Sequence, residues 1–325
     1  MRVRGIGIIL EQIDFDQVFD RLEEYSATRV GIQLPDGLKF RCTEIIDGLE
    51  GKGYEAILSG SGSYGACDID TNLLDAVDVL LHFGHTQILK LDRVIYVPYF
   101  IEYEVNTEDI DIPQDSIALI ATAQYAHKLP EVKKELESAG YKIEVGEGTR
   151  VTMPGQVLGC NYSVLRRSNA DAVLFIGDGL FHPLGAAVYT GKRVYRYSPL
   201  SREFEEVDTA DFVRKRMTFM AKAMYSEHRG AIIVSSKPGQ KRTNLADTLK
   251  REASDKAKKV DMVMFEELTP YKLASFPYGY YVNTACPRIS YDDAEFYSVP
   301  ILTPQEYEAM LGLREWDECL IDEIE

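Results

Sequence analysis

Short apolar runs recur along this chain, each closed by glycine or proline. Between them, apolar residues return at helical spacing. This alternation predicts an α/β fold in which strands and helices take turns. Val30–Leu34 is the first run and ends in the turn Pro35-Asp36-Gly37. A helix should run from there to Gly53, followed by strands over Tyr54–Leu58, Asp78–His85 and Val94–Pro98. The pattern restarts near residue 117, with strands over Ile117–Ala121, Tyr141–Val145, Ala172–Gly179 and Val194–Tyr197. Between the first two of these, Pro130 suits the first turn of a helix, Val132, Leu136 and Ala139 follow at helical spacing, and Gly140 supplies the stop. A third, more divergent pass has strands over Ala231–Ser235, Met262–Phe265, Gly279–Asn283 and Val299–Pro304, with a basic amphipathic helix from about Thr243.

The first two passes match in detail. Leu49-Glu50-Gly51-Lys52-Gly53-Tyr54 echoes Leu136-Glu137-Ser138-Ala139-Gly140-Tyr141. Asp78–Gly84 aligns with Asp171–Gly177 at an offset of 93 residues, and Cys67 and Cys160 are separated by the same 93. Cys286 directly follows the third-pass strand that ends at Asn283. The expected architecture is three pseudo-repeated small sheet-plus-helices domains around a pseudo-threefold axis, not a TIM barrel. Their expected bounds are 1–105 with Cys67, 106–210 with Cys160 and 211–325 with Cys286.

Functional loops in open α/β sheets lie at the carboxyl ends of strands. Cys67 and Cys160 each follow the second strand of their unit and Cys286 the third, so three thiols can converge. Three cysteines would leave one iron of a cubane open to water or substrate. A three-cysteine zinc site is equally compatible with this reasoning. Duplication of an ordinary core cysteine is the bland alternative. No CxxC occurs among the five cysteines, so a zinc ribbon, a thioredoxin motif and a sequence-local cluster run are all unsupported. Cys42 should pack within the first helix, and Cys319, in the acidic stretch after Leu313, looks incidental.

The 325 residues carry a net charge of −16, which argues against general nucleic-acid binding. The exception is the basic stretch from Lys237 to Lys259, either a solvated helix face or a docking patch that includes Lys241 and Arg242. No apolar run approaches the ~18–20 residues that span a bilayer. Met1–Leu10 reads as a strand rather than a signal peptide, so a cytoplasmic location is expected. His82, His85 and His182 lie in strand-end loops, where burial with satisfied hydrogen bonds is the default and support of a site the alternative. His127 and His228 carry no such hint.

Gln33-Leu34-Pro35-Asp36-Gly37-Leu38, Ser63–Asp70, His82-Phe83-Gly84-His85, Gly159-Cys160-Asn161, Asp178–Pro183 and Asn283–Arg288 occur in an order that resembles the diphthamide biosynthesis family. The likeness is to the archaeal, homodimeric form that performs the first step of that pathway, and it spans nearly the whole chain. The resemblance implies one 4Fe-4S cluster held by Cys67, Cys160 and Cys286, with S-adenosylmethionine as co-substrate. It implies a 3-amino-3-carboxypropyl transferase acting by radical chemistry on C2 of a histidine of translation elongation factor 2. Gln33, Asp36, His85, Asp178 and Arg288, all in strand-end loops, are candidates for binding the cofactor or co-substrate. The rival readings are an iron–sulfur dehydratase of the quinolinate synthase type and a non-catalytic metal-binding scaffold.

Overall fold

A computed structural model of the chain describes residues 15–316 and 321–324. The strand expected over Met1–Leu10, and Cys319, lie outside the described residues.

The described strands form three sheets with one wiring. In the first, β1 (Arg29–Gln33), β2 (Glu55–Leu58), β3 (Val79–Phe83) and β4 (Val94–Val97) lie in the order β2-β1-β3-β4. In the second, β5 (Ser116–Ala121), β6 (Lys142–Glu144), β7 (Ala172–Ile176) and β8 (Arg193–Ser198) lie in the order β6-β5-β7-β8, with β9 (Glu203–Glu206) beyond β8. In the third, β10 (Gly230–Ser235), β11 (Val260–Phe265), β12 (Tyr280–Asn283) and β13 (Ile301–Leu302) repeat the order β11-β10-β12-β13. Every pairing is parallel except β8 with β9.

The repeat reaches individual hydrogen bonds. Asp78 N donates to Arg29 O, and Asp171 N to Ser116 O, both at 2.9 Å. Gly84 N donates to Val97 O at 2.8 Å, and Gly177 N to Tyr197 O at 3.0 Å. Both glycines have positive φ, 84° and 145°, so each marks the same left-handed exit from a central strand.

Parallel strands covered by helices on both faces need apolar side chains at consecutive positions. Accordingly β3, β7 and β10 are buried along their whole length. Helix Leu129–Ser138 buries Leu129, Val132 and Leu136, at about 1.5–3 kcal/mol for each side chain fully buried. Its Pro130 sits in the first turn, and Gly140 beyond its end has φ 105°. Helix Thr243–Asp255 buries Ala246, Leu249 and Ala253, and turns Lys250 and Arg251 to solvent.

Strand β9 has no apolar run to announce it. Its glutamates pair with arginines of β8, Arg193 with Glu206 and Arg196 with Glu203 and Glu205. It is a charged edge strand, which blunts further pairing. After the last helix of the third sheet, the segment 321–324 crosses to the second sheet, where Ile321 enters the core around Tyr162 and Phe175.

Candidate functional site

Cys67 leaves β2, Cys160 leaves β6 and Cys286 leaves β12, each in a loop at the carboxyl end of its sheet. All three are half-buried and free of disulfides. Burial pushes the Cys67 thiol up, and Cys160 to about 12. Cys286 is pushed up by burial first, then by the proximity of Cys67 and Cys160. Cys67 likewise raises Cys160. Cys67 and Cys286 line one cleft, although the first follows β2 and the second β12.

Among the described residues, no three His, Cys, Asp or Glu side chains are placed to share a single ion. Zinc would draw its thiolates to ~2.3 Å from one centre. A cubane instead takes each cysteine on a different iron and so suits thiols held further apart. Three thiols are the donor set that a cluster with one iron left open would accept. A cleft of ≈ 310 Å3 opens beside Cys67 and Cys286, lined also by Tyr64, Lys237, Arg288 and Tyr297.

A buried amide fixes each cysteine loop. Gln33, fully buried at the end of β1, donates Nε2–H to Asp68 O at 2.8 Å and accepts from Asp70 N at 3.2 Å. His82 Nδ1 lies 2.9 Å from the same Gln33 oxygen, so it must donate there, leaving Nε2 to accept from His85 Nδ1 at 3.0 Å. Burial lowers the pKa of His82 to about 3 and of His85 to about 4, so both rings stay neutral. Asn161 holds the second loop, donating to Ile324 O at 3.2 Å, while Ile324 N donates to Cys160 O at 2.7 Å. Gly159 lies against Phe181, whose ring would be 2.1 Å from any Cβ there. Asn283 holds the third loop, donating to Cys286 O at 2.8 Å and to Ser290 Oγ at 3.1 Å and accepting from Ala285 N at 2.9 Å.

The other candidates divide. Arg288 lines the cleft, covers the Phe181 ring at 4.9 Å and pairs with Asp292 at 2.6 Å. Gln33 braces the Cys67 loop directly, and His85 acts on it only through His82 and Gln33. Asp36 is exposed and pairs with Lys39 at 2.8 Å. Asp178 accepts from Tyr125 and Ser198 hydroxyls, both at 2.5 Å, within the second unit. His182 stacks on Phe175, and burial takes its pKa to about 4. Cys42 opens helix Cys42–Glu50 and packs against the first core, as expected.

The basic stretch needs a correction. Arg242 is not a docking residue: it pairs with Asp322 at 2.6 Å and donates to the carbonyls of Thr284 and Ala285. Lys237 is likewise committed, to Asp68 at 2.8 Å. Lys241, Lys250, Arg251, Lys256, Lys258 and Lys259 are exposed. Sequence reasoning missed Asn161, Asn283, Lys237, Gln240 and Arg242 as site residues. Asn161 adjoins a cysteine and Asn283 sits three residues before one, which was the available signal. Lys237 and Gln240 reach the Cys67 loop from the third unit, and Arg242 meets Asp322 across 80 residues of sequence, so none of them leaves a local signal.

The chain matches the diphthamide synthesis protein family over residues 34–320. It is 38% identical to the 2-(3-amino-3-carboxypropyl)histidine synthase of Pyrococcus horikoshii, over 97% of this chain and 94% of that one. It is 30% identical to subunit 1 of the Aspergillus fumigatus enzyme, over 94% of this chain and 72% of the relative, and 30% identical to the Mus musculus subunit 1, over 91% and 70%. The crystal structure of Dph2 from Pyrococcus horikoshii with a 4Fe-4S cluster superposes with a TM-score of 0.89 at 38% identity, covering 96% of this chain and 94% of that one.

Proposed function

The chain belongs to the diphthamide synthesis family of 2-(3-amino-3-carboxypropyl)histidine synthases, and from that premise we propose that Cys67, Cys160 and Cys286 hold a 4Fe-4S cluster serving S-adenosylmethionine chemistry. One observation carries the reading: each sheet ends in a loop with one half-buried, disulfide-free cysteine, and two of the three, Cys67 and Cys286, line one cleft. We take the three units as 1–105, 106–210 and 211–325, related by a pseudo-threefold axis.

Held by Cys67, Cys160 and Cys286, a cluster would supply one electron for reductive cleavage of the sulfur–Cγ bond of the methionine moiety, with methylthioadenosine as the leaving group and a 3-amino-3-carboxypropyl radical as the other product. The radical would add to imidazole C2 of a histidine on translation elongation factor 2, and the adduct would lose the C2 proton to solvent and return one electron to the oxidised cluster. The chain's own task is placement. In the cleft, Arg288 offers a cation to the co-substrate carboxylate, Glu266 and Glu267 offer counter-charge to the sulfonium, and Tyr64 and Tyr297 offer aromatic faces. Gln33, and His85 acting through His82, are both neutral and hold the Cys67 loop without adding charge beside the thiol. The exposed lysines around helix Thr243–Asp255 are the docking face for the protein substrate. The reading places a homodimer in the cytoplasm, and no described helix is long and apolar enough to cross a membrane.

The test is anaerobic reconstitution with iron and sulfide, then dithionite and S-adenosylmethionine, with products separated by chromatography. Methylthioadenosine and a 3-amino-3-carboxypropyl product, lost in Cys67→Ala, Cys160→Ala and Cys286→Ala, are expected. 5′-Deoxyadenosine would mean that a different bond breaks. A chain that assembles no cluster, or one indifferent to these cysteines, would end the proposal.

A further inference from the structure

We propose that Gln240 tunes the redox centre by donating an N–H···S hydrogen bond to Cys67 across the interface between the third and first units. The inference rests on the cluster reading above. Gln240 Nε2 lies 3.3 Å from Cys67 Sγ, between residues 173 apart in sequence, and Gln240 is buried. The contact is built rather than incidental. Gln240 closes the short turn Pro238–Gln240, in which its N–H donates to Lys237 O at 3.0 Å. That turn is pressed onto the Cys67 loop: a Cβ on Gly239 would lie 2.5 Å from the Cys67 Cβ and 2.6 Å from its Cα. Lys237 clamps the same loop through Asp68 at 2.8 Å, and Arg150 of the second unit donates to Gly239 O at 3.2 Å. All three units thus fix where this amide points.

The bland alternative is a buried amide that meets sulfur for want of a better acceptor. A neutral thiol is a weak acceptor, so a buried donor gains little from it. A thiolate makes the same bond charge-assisted and roughly twice as strong as a neutral one. The orientation therefore has its full value only when Cys67 is deprotonated, as a ligand must be. Adding an electron to a cluster increases the negative charge on its sulfurs, and a donor aimed at one of them favours the reduced form. Hydrogen bonds to sulfur are among the factors that set such potentials.

The test compares the reconstituted wild-type chain with Gln240→Leu, which keeps the bulk and loses the donor, and Gln240→Glu, which keeps the shape and brings an acceptor. Iron and sulfide content is measured first, followed by a redox titration monitored by electron paramagnetic resonance. At a fixed potential, Gln240→Leu should show about a tenfold lower ratio of reduced to oxidised centre, about 59 mV for one electron, and Gln240→Glu a lower ratio still. In the wild type grown with side-chain 15N-glutamine, pulsed resonance of the reduced centre should show a coupling that Gln240→Leu lacks. Equal potentials in all three chains, or loss of the cluster from both variants, would overturn the assignment and leave Gln240 a packing residue. A wild-type chain without a cluster would instead overturn the underlying reading before any variant is compared.

Discussion

Asn283 concentrates three hydrogen bonds in one fully buried side chain, and all three shape the turn that carries Cys286. Replacing it by leucine leaves Ala285 N–H, Cys286 O and Ser290 Oγ short of a partner. An unsatisfied buried polar group costs about 1–3 kcal/mol. Asn283→Leu should therefore lower the urea midpoint, and the iron bound after reconstitution should fall severalfold. Gly239→Ala makes a sharper case. The added methyl collides with the Cys67 backbone as well as its side chain, so a loop rather than a rotamer must move. We expect Gly239→Ala to lose most of its bound iron while helix content measured by circular dichroism stays unchanged. Bound iron equal to wild type in that variant would show that the Cys67 loop is freer than its packing implies.

Elements differ in how plainly the sequence announces them. The central parallel strands were legible because burial on both faces demands consecutive apolar residues, and Asp78–Gly84 and Asp171–Gly177 state the same strand twice. Strand β9 was illegible because charge pairing across an edge, Arg193 to Glu206 above all, holds it in place. The placement of the three cysteines in loops after strands was legible through their spacing. Their braces were not, since a glutamine at position 33 or 240 shows its partner only once the chain is folded. The basic stretch misled for the same reason: Arg242 looks solvated until segment Ile321–Ile324 arrives with Asp322. That segment is an element without regular structure, held by Arg242, Asn161 and the Tyr291 hydroxyl. Asp322→Ala strands the Arg242 cation in a site that is largely closed to water. Breaking such a pair costs about 3–5 kcal/mol, and equilibrium denaturation should report a loss of that size.

At the scale of the whole molecule, three imidazoles set an acid limit. His82, His85 and His182 have folded pKa values lowered to about 3, 4 and 4 from 6.5. The folded chain keeps them neutral while the unfolded chain protonates them below 6.5. Stability is therefore full above that pH and declines as pH falls toward the folded values. The slope is about 1.4 kcal/mol per pH unit for each ring. Urea unfolding between pH 7 and 4.5 should show this decline, and His182→Phe should flatten it by one ring's share. An unchanged slope in that variant would mean that His182 takes up its proton in the folded chain as well. The segment Ile321–Ile324 also has a consequence in time. It is synthesised after both the Cys160 loop that it ties down and the Arg242 that it neutralises. The ties it makes to the Cys160 loop and to Arg242 therefore form only after residue 324 has been synthesised. A chain terminated before residue 321 therefore leaves the Cys160 loop untied and Arg242 without its Asp322 partner.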